Sequence, residues 1–266
     1  MDKSIDRWGL PDMEQALAWC DIRNDSGIRC VLDILGEDGR SAEDVKRTAE
    51  SYANLAQEVV DRGLKASLSV KPSHLGALLH EGNGLDQIRR LHRQAADLGV
   101  AMEIDMEGRP LLPFTLRAAV ICVGQAPITL ALQAYLDRTA DDLRIVLRHG
   151  ITPRLTKGAY VGDISDFARI QERTVGLARL CLHEEKPFCL ATHDPELISW
   201  ARESGRRDIM EIGFLKGLAE ETMIDLADAG WQVSEYVPFG PDRRAYSRRR
   251  ERYLSDLQRL GRTAVP

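Results

Sequence analysis

Apolar, β-branched runs alternate along the chain with amphipathic stretches of helical period. The run 28–35, Ile-Arg-Cys-Val-Leu-Asp-Ile-Leu, reads as a strand. Ser41 then starts a helix whose first turn carries Glu43 and Asp44, suited to the positive end of a helix dipole, and Gly63 stops it. The same alternation predicts further strands at 66–71, 100–106, 128–135, 153–158, 187–192, 208–215 and 231–237. It predicts helices at 85–98, 114–123, 139–149, 165–184, 195–204, 219–229 and 244–260. Strict strand–helix alternation implies parallel strands with right-handed crossovers. Eight repeats in about 235 residues fit a closed (β/α)8 barrel better than an open sheet. A doubly wound sheet is the competing architecture. Against it, the turn after the first strand reads Leu35-Gly36-Glu37-Asp38-Gly39, which is not GxGxxG. The expected fold is therefore α/β, a TIM-like barrel over 28–266 with its last helix over the barrel mouth. Residues 1–27 are expected as an N-terminal extension, a short helix plugging the bottom or lying beside the barrel.

Composition narrows the class without naming an activity. The chain has 266 residues, 44% hydrophobic and 29% charged, with a formal net charge of −5. That is too apolar and too nearly neutral for intrinsic disorder. No apolar run approaches the ~18 residues that span a bilayer. The start, Met1-Asp2-Lys3-Ser4-Ile5-Asp6-Arg7, lacks the apolar centre of a signal peptide. Five cysteines (Cys20, Cys30, Cys122, Cys181, Cys189) have no CxxC spacing and point to buried thiols in a reducing cytoplasm. The acidic total argues against a nucleic-acid partner.

A barrel of this kind carries its active site where the strands end. Those positions are unusually polar here: Asp33 and Glu37, Lys71, Asp105 and Glu107, Gln133 and Tyr135. They continue with Arg154, Lys157 and Tyr160, then Thr192, His193 and Asp194, then Glu211, Lys216 and Tyr236. Each has a bland alternative. Lys71 reads equally as a solvated loop lysine, and a lone histidine such as His193 commonly bonds a nearby carbonyl. Asp33 is out of phase with Glu37 and fits the barrel interior. Asp105 with Glu107 is a thin set for a hard cation, so no metal is expected. The arginines at 243, 244, 248, 249, 250 and 252 read as a solvated face or a phosphate patch.

Certain segments are more specific: Arg154-Leu155-Thr156-Lys157-Gly158-Ala159-Tyr160, Ala191-Thr192-His193-Asp194, and Tyr236-Val237-Pro238-Phe239-Gly240 followed by Tyr246 and Arg249-Arg250. Weaker matches are 35–37, 69–71, 104–107 and 133–136. In this order, the chain resembles the proline dehydrogenase family, FAD-dependent (β/α)8 enzymes that oxidise L-proline; the likeness runs from about residue 28 to 253. At this length the aldehyde dehydrogenase half of bifunctional members is not expected. The resemblance implies that Arg249 and Arg250 grip the substrate carboxylate, with Lys71 and Asp105 close by. It implies that Tyr160, Tyr236 and Tyr246 wall the proline ring above Leu155, and that Glu37 gates the site. Gln133, Arg154, Thr156, Lys157, Gly158, Ala159, Thr192 and His193 are then the FAD contacts. It also implies hydride transfer from proline C5 to flavin N5, from a neutral ring amine, to give a Δ1-pyrroline-5-carboxylate type imine. Tyr236 favours an unsubstituted ring. Electrons would pass to an acceptor such as a membrane quinone, from a cytoplasmic protein peripheral to the inner membrane.

Several positions depart from the family pattern. Gly213 and Lys216 replace its usual residues on the seventh strand, Val161 stands where an aromatic is common, and Gly108-Arg109-Pro110 is atypical. Proline itself and a modified or carrier-attached cyclic amino acid, used by a specialised paralogue, therefore both remain open as substrate. Two readings from other classes also stay open. One is a lyase forming a Schiff base on Lys71 or Lys157. The other is a non-catalytic protein holding an anion on its arginine patch.

Overall fold

Each strand hydrogen-bonds to the next in chain order, and the last pairs with the first, so the sheet closes as an eight-stranded barrel. The coordinates are a computed structural model that describes residues 7–36 and 39–264. The strands are β1 (Arg29–Ile34), β2 (Ala66–Val70), β3 (Ala101–Ile104), β4 (Thr129–Gln133), β5 (Thr152–Thr156), β6 (Phe188–Ala191), β7 (Met210–Leu215) and β8 (Gln232–Phe239). The helices are α1 (Met13–Asp25), α2 (Ala42–Asp61), α3 (Glu81–Asp97), α4 (Leu112–Val123) and α5 (Thr139–Arg148). They continue as α6 (Phe167–His183), α7 (Pro195–Ser204), α8 (Glu220–Asp228) and α9 (Arg243–Arg259). All strand pairs are parallel, as the alternation requires.

Local chemistry explains most boundaries. Ser41 caps α2, its side chain accepting the Asp44 N–H at 3.1 Å. Helix α3 starts four residues before the expected 85. Its cap is His80, whose Nδ1 accepts the Asn83 N–H at 3.2 Å; the glycines at 82 and 84 hide that start in a propensity reading. Strand β8 runs on to Phe239 because Leu10 pairs with that end of it, its N–H donating to Pro238 O at 2.9 Å.

The N-terminal helix lies beside the barrel. Trp19 Nε1 and Arg23 Nε of α1 both donate to Glu235 Oε2 on β8, at 2.6 and 2.9 Å. Lys216 joins this anchor. Its ammonium faces the Trp19 ring at 4.3 Å and donates to Arg7 O at 3.1 Å. The departure at 216 thus fastens the N-terminal segment to the β7–α8 turn.

The final helix covers the mouth, as expected. Its Tyr246 is buried within reach of the Lys71 and Asp33 charges at the ends of β2 and β1. Its Arg250 lies close enough to His193, at the end of β6, to act on its titration.

Candidate active site

The two-residue period of the strands sends one set of side chains into the barrel. At the mouth these are Asp33, Ser69, Lys71, Asp105, Arg154 and Tyr236, and they meet around one carboxylate. Asp105 Oδ2 accepts the Tyr236 hydroxyl at 2.7 Å, and Oδ1 accepts the Ser69 hydroxyl at 3.1 Å. Arg154 Nη2 forms an ion pair with Oδ1, and Lys71 Nζ stands 3.7 Å from Oδ2. Burial pushes the Asp105 carboxyl up, but the Arg154 and Lys71 charges with the hydroxyl donors outweigh it, leaving it below the usual carboxylate range. Lys71 is buried and donates to Asp33 Oδ1 at 2.5 Å. Burial disfavours its charge, yet Asp33 and Asp105 together hold it above the ordinary lysine value. It is a fixed ammonium.

A second constellation fills the ends of β4 and β5. The Tyr135 hydroxyl donates to Gln133 Oε1 at 2.6 Å and accepts the Tyr160 N–H at 2.7 Å. The Ala159 N–H donates to the same Gln133 oxygen at 3.3 Å, and Gln133 Nε2 donates to Glu107 O at 3.0 Å. This chain folds the segment 157–162 over the Tyr135 ring. Gly158 (φ +130°) has to be glycine, because a Cβ there would overlap that ring. Arg109 supports the same segment by donating to Gly162 O at 3.0 Å and pairing with Asp163, which accounts for the atypical turn at 108–110. Val161 is 79% exposed.

At the β5 and β6 ends, Lys157 pairs with Asp194, whose other oxygen caps α7 by accepting the Glu196 N–H at 2.9 Å. Thr156 donates to Leu132 O at 3.3 Å, and Thr192 Oγ1 accepts the Asp194 N–H at 3.1 Å. His193 Nε2 accepts the Leu215 N–H at 2.8 Å, so its proton sits on Nδ1. Burial, then the Arg250 and Lys157 charges, pushes His193 down to about 3. It is a neutral donor throughout the physiological range. Gly213 lies beside Cys189, whose sulfur would stand 2.9 Å from any Cβ at that position, so the departure there matches a thiol occupying the space.

From α9, Arg250 stacks on the Tyr246 ring at 5.1 Å, and Arg249 is half-buried beside it. Leu155 is fully buried in the hydrophobic core. The pleat turns it to the opposite side of β5 from Arg154, which alone faces Asp105 and Glu103. Glu37 lies outside the described residues.

The donors suit an anionic dinucleotide. Arg154, Lys157, Arg250 and His193 line the β5–β6 side of the mouth, and the buried Nε atoms of Arg154 and Arg250 have no hydrogen-bond partner among the described residues. His193 also borders a cavity of ≈ 460 Å³ lined by Phe167, Asp194, Tyr253 and Arg262, among others.

Sequence reasoning left out Glu103 and Arg29 altogether, and it set Asp33 at a strand end with the barrel interior as the alternative. All three stand two or four residues from a polar partner on the same strand face, which was the available signal.

The chain is similar to known proteins over most of its length. A family model described as "Proline dehydrogenase" matches residues 17–175. Over 237 residues the chain is 29% identical to Proline dehydrogenase 1 of Bacillus subtilis, covering 85% of this chain and 78% of that protein. Over 241 residues it is 29% identical to the proline dehydrogenase of Deinococcus radiodurans, covering 84% and 77%. Among solved structures, proline utilization A from Bdellovibrio bacteriovorus superposes with a TM-score of 0.84 at 19% identity, over 93% of this chain and 32% of that one. This chain therefore spans about a third of that protein's length, and the likeness speaks to the barrel.

Proposed function

The chain belongs to the proline dehydrogenase family, and on that premise we propose that it oxidises L-proline to Δ1-pyrroline-5-carboxylate with FAD as its cofactor. The observation that carries the reading is the meeting of Asp105, Arg154, Tyr236 and Lys71 under a helix that brings Arg250 and Tyr246 over the same mouth. The flavin supplies a two-electron acceptor for the hydride leaving proline C5. The rest of the work belongs to the side chains.

Arg249 and Arg250 take the substrate carboxylate, because two guanidinium forks match its two oxygens. Lys71, fixed as an ammonium, adds a third positive charge on the side of β2. Tyr236, Tyr160 and Tyr246 shape the ring pocket, and Asp105 holds Tyr236 by its hydroxyl at 2.7 Å. A cationic surround also favours the neutral ring amine that oxidation needs, since it disfavours a second ammonium. Arg154, Lys157, Thr192, His193 and Gln133 take the cofactor, with 156–159 as its backbone rim. Glu37 acts as the gate. A quinone is the electron acceptor in this reading, met by a cytoplasmic protein at the inner membrane surface. No described helix is long and apolar enough to cross a membrane.

The Schiff-base alternative is disfavoured at Lys71. A nucleophilic lysine must lose its proton, and Asp33 and Asp105 hold this one charged. The deciding experiment is an absorbance spectrum of the purified full chain with FAD, followed by anaerobic addition of L-proline. Bleaching of the flavin band is expected. Absence of FAD uptake, or a band unmoved by L-proline, would overturn the assignment.

A further inference from the structure

Below the mouth, the barrel holds a second layer of charge. Arg29 enters from the N-terminal end of β1 and divides its guanidinium between two carboxylates. Nη1 donates to Glu103 Oε1 at 3.1 Å, while Nη2 and Nε donate to Glu211 Oε1 and Oε2 at 2.8 and 3.2 Å. Ser67 donates to Glu103 Oε1 at 2.8 Å and Ser234 to Glu211 Oε1 at 2.7 Å. Glu103, 2% exposed, then turns its other oxygen upward, where Oε2 has no hydrogen bond among the described residues and lies 3.4 Å from Arg154 Nη1. Arg154 is thus held between two carboxylates, Asp105 toward the mouth and Glu103 toward the interior.

The layer is not electrically neutral. One cation, Arg29, faces two anions, Glu103 and Glu211, which leaves a net negative charge directly under Arg154. Such a charge does two things. It pulls the Arg154 guanidinium inward, and it offsets part of the positive potential that Arg154 presents to the mouth. Burial keeps the effect strong, because water cannot screen it.

We propose that Glu103, oriented by Arg29, is a positioning residue that sets the height and the effective charge of Arg154 and so tunes the reduction potential of the bound flavin. The proposal rests on the placement of FAD beside Arg154 made above. Glu103 touches neither substrate nor cofactor. Removing its charge leaves Arg154 less compensated, favours the more negative reduced flavin, and raises the potential.

The test uses the full-length FAD-loaded protein and its variants Glu103→Gln and Glu103→Asp. Flavin midpoint potential is measured by dye-coupled reduction, with KM and kcat for L-proline measured alongside. Glu103→Gln is expected to shift the two-electron equilibrium roughly tenfold toward reduced flavin, which is about 30 mV. KM should change less than twofold, because the carboxylate grip lies on α9. Glu103→Asp, which keeps the charge, should return most of the shift. Equal shifts in the two variants, or none in either, overturn the proposal by reducing Glu103 to packing. Should Glu103→Gln not fold, Arg29→Gln/Glu103→Gln/Glu211→Gln removes the whole cluster and one net negative charge without stranding a buried ion. It is expected to raise the potential as well, and an unchanged potential refutes the idea. Failure of the wild-type chain to take up FAD would instead strike the functional reading, so the two failures are told apart.

Discussion

Replacing Asp105 by Asn tests the centre of the site. The side chain keeps its size and loses its charge. In the native protein the carboxylate accepts the Tyr236 and Ser69 hydroxyls and the Arg154 guanidinium, with Lys71 3.7 Å away. A hydrogen bond to a charged group contributes about 1.5–3 kcal/mol, and stranding a buried partner costs about 3–5 kcal/mol. Neither cation is fully stranded here. Arg154 retains Glu103 at 3.4 Å, and Lys71 retains Asp33 at 2.5 Å. The expected loss is therefore about 2–4 kcal/mol, or about 4–8 °C in Tm for a domain of this size. The sign with pH follows from linkage. Asp105 titrates below its unfolded value, so its contribution is complete above about pH 4 and disappears as pH falls through the depressed folded value. Thermal and urea unfolding of wild type and Asp105→Asn, followed by circular dichroism from pH 7 down to pH 3, measure the gap. It should be full at pH 7 and begin to close below about pH 4. Equal Tm at pH 7, or a gap independent of pH, would refute the view of Asp105 as the ionised hub.

Other consequences are open to measurement. Arg249→Met and Arg250→Met should each raise KM for L-proline about 10- to 150-fold with the fold intact, as loss of a charge-assisted contact of about 1.5–3 kcal/mol requires; unchanged kinetics in both would remove the carboxylate assignment. Gly158→Ala should displace Tyr135, break its bonds to Gln133 and Tyr160, and weaken FAD binding at least tenfold; retained affinity in a fluorescence titration would contradict the packing. His193 resists protonation when folded, so the unfolded chain binds the extra proton as pH falls below about 6.5. Stability conferred by neutral His193 is thus lost as pH drops from there toward 3, and His193→Gln should flatten that decline in urea midpoints. An equally steep profile in the variant would count against the buried neutral imidazole.

The barrel was legible because its signals are local. Apolar, β-branched runs such as 28–35, glycine stops such as Gly63 and caps such as Ser41 act over a few residues. Closure follows from how many such units the chain repeats. The mouth residues were legible for a related reason: strand ends in this architecture converge whatever lies between them, so Lys71, Asp105, Arg154 and Tyr236 could be named before their contacts were known. Other features lay beyond local reading. The start of α3 at Glu81 depends on a histidine cap that propensity does not anticipate. The Tyr135 hydroxyl bridges Gln133 and the Tyr160 backbone only because a loop 25 residues on folds back over the ring. Lys216 and Gly213 looked like losses until Trp19 and Cys189 appeared beside them. Arg29 and Glu103 are 74 residues apart, and only strand register puts their charges in contact. Alternation along one strand says which side chains point inward. Which inward charges compensate one another is settled by the stagger between strands, and that is a property of the closed barrel rather than of any segment of the chain.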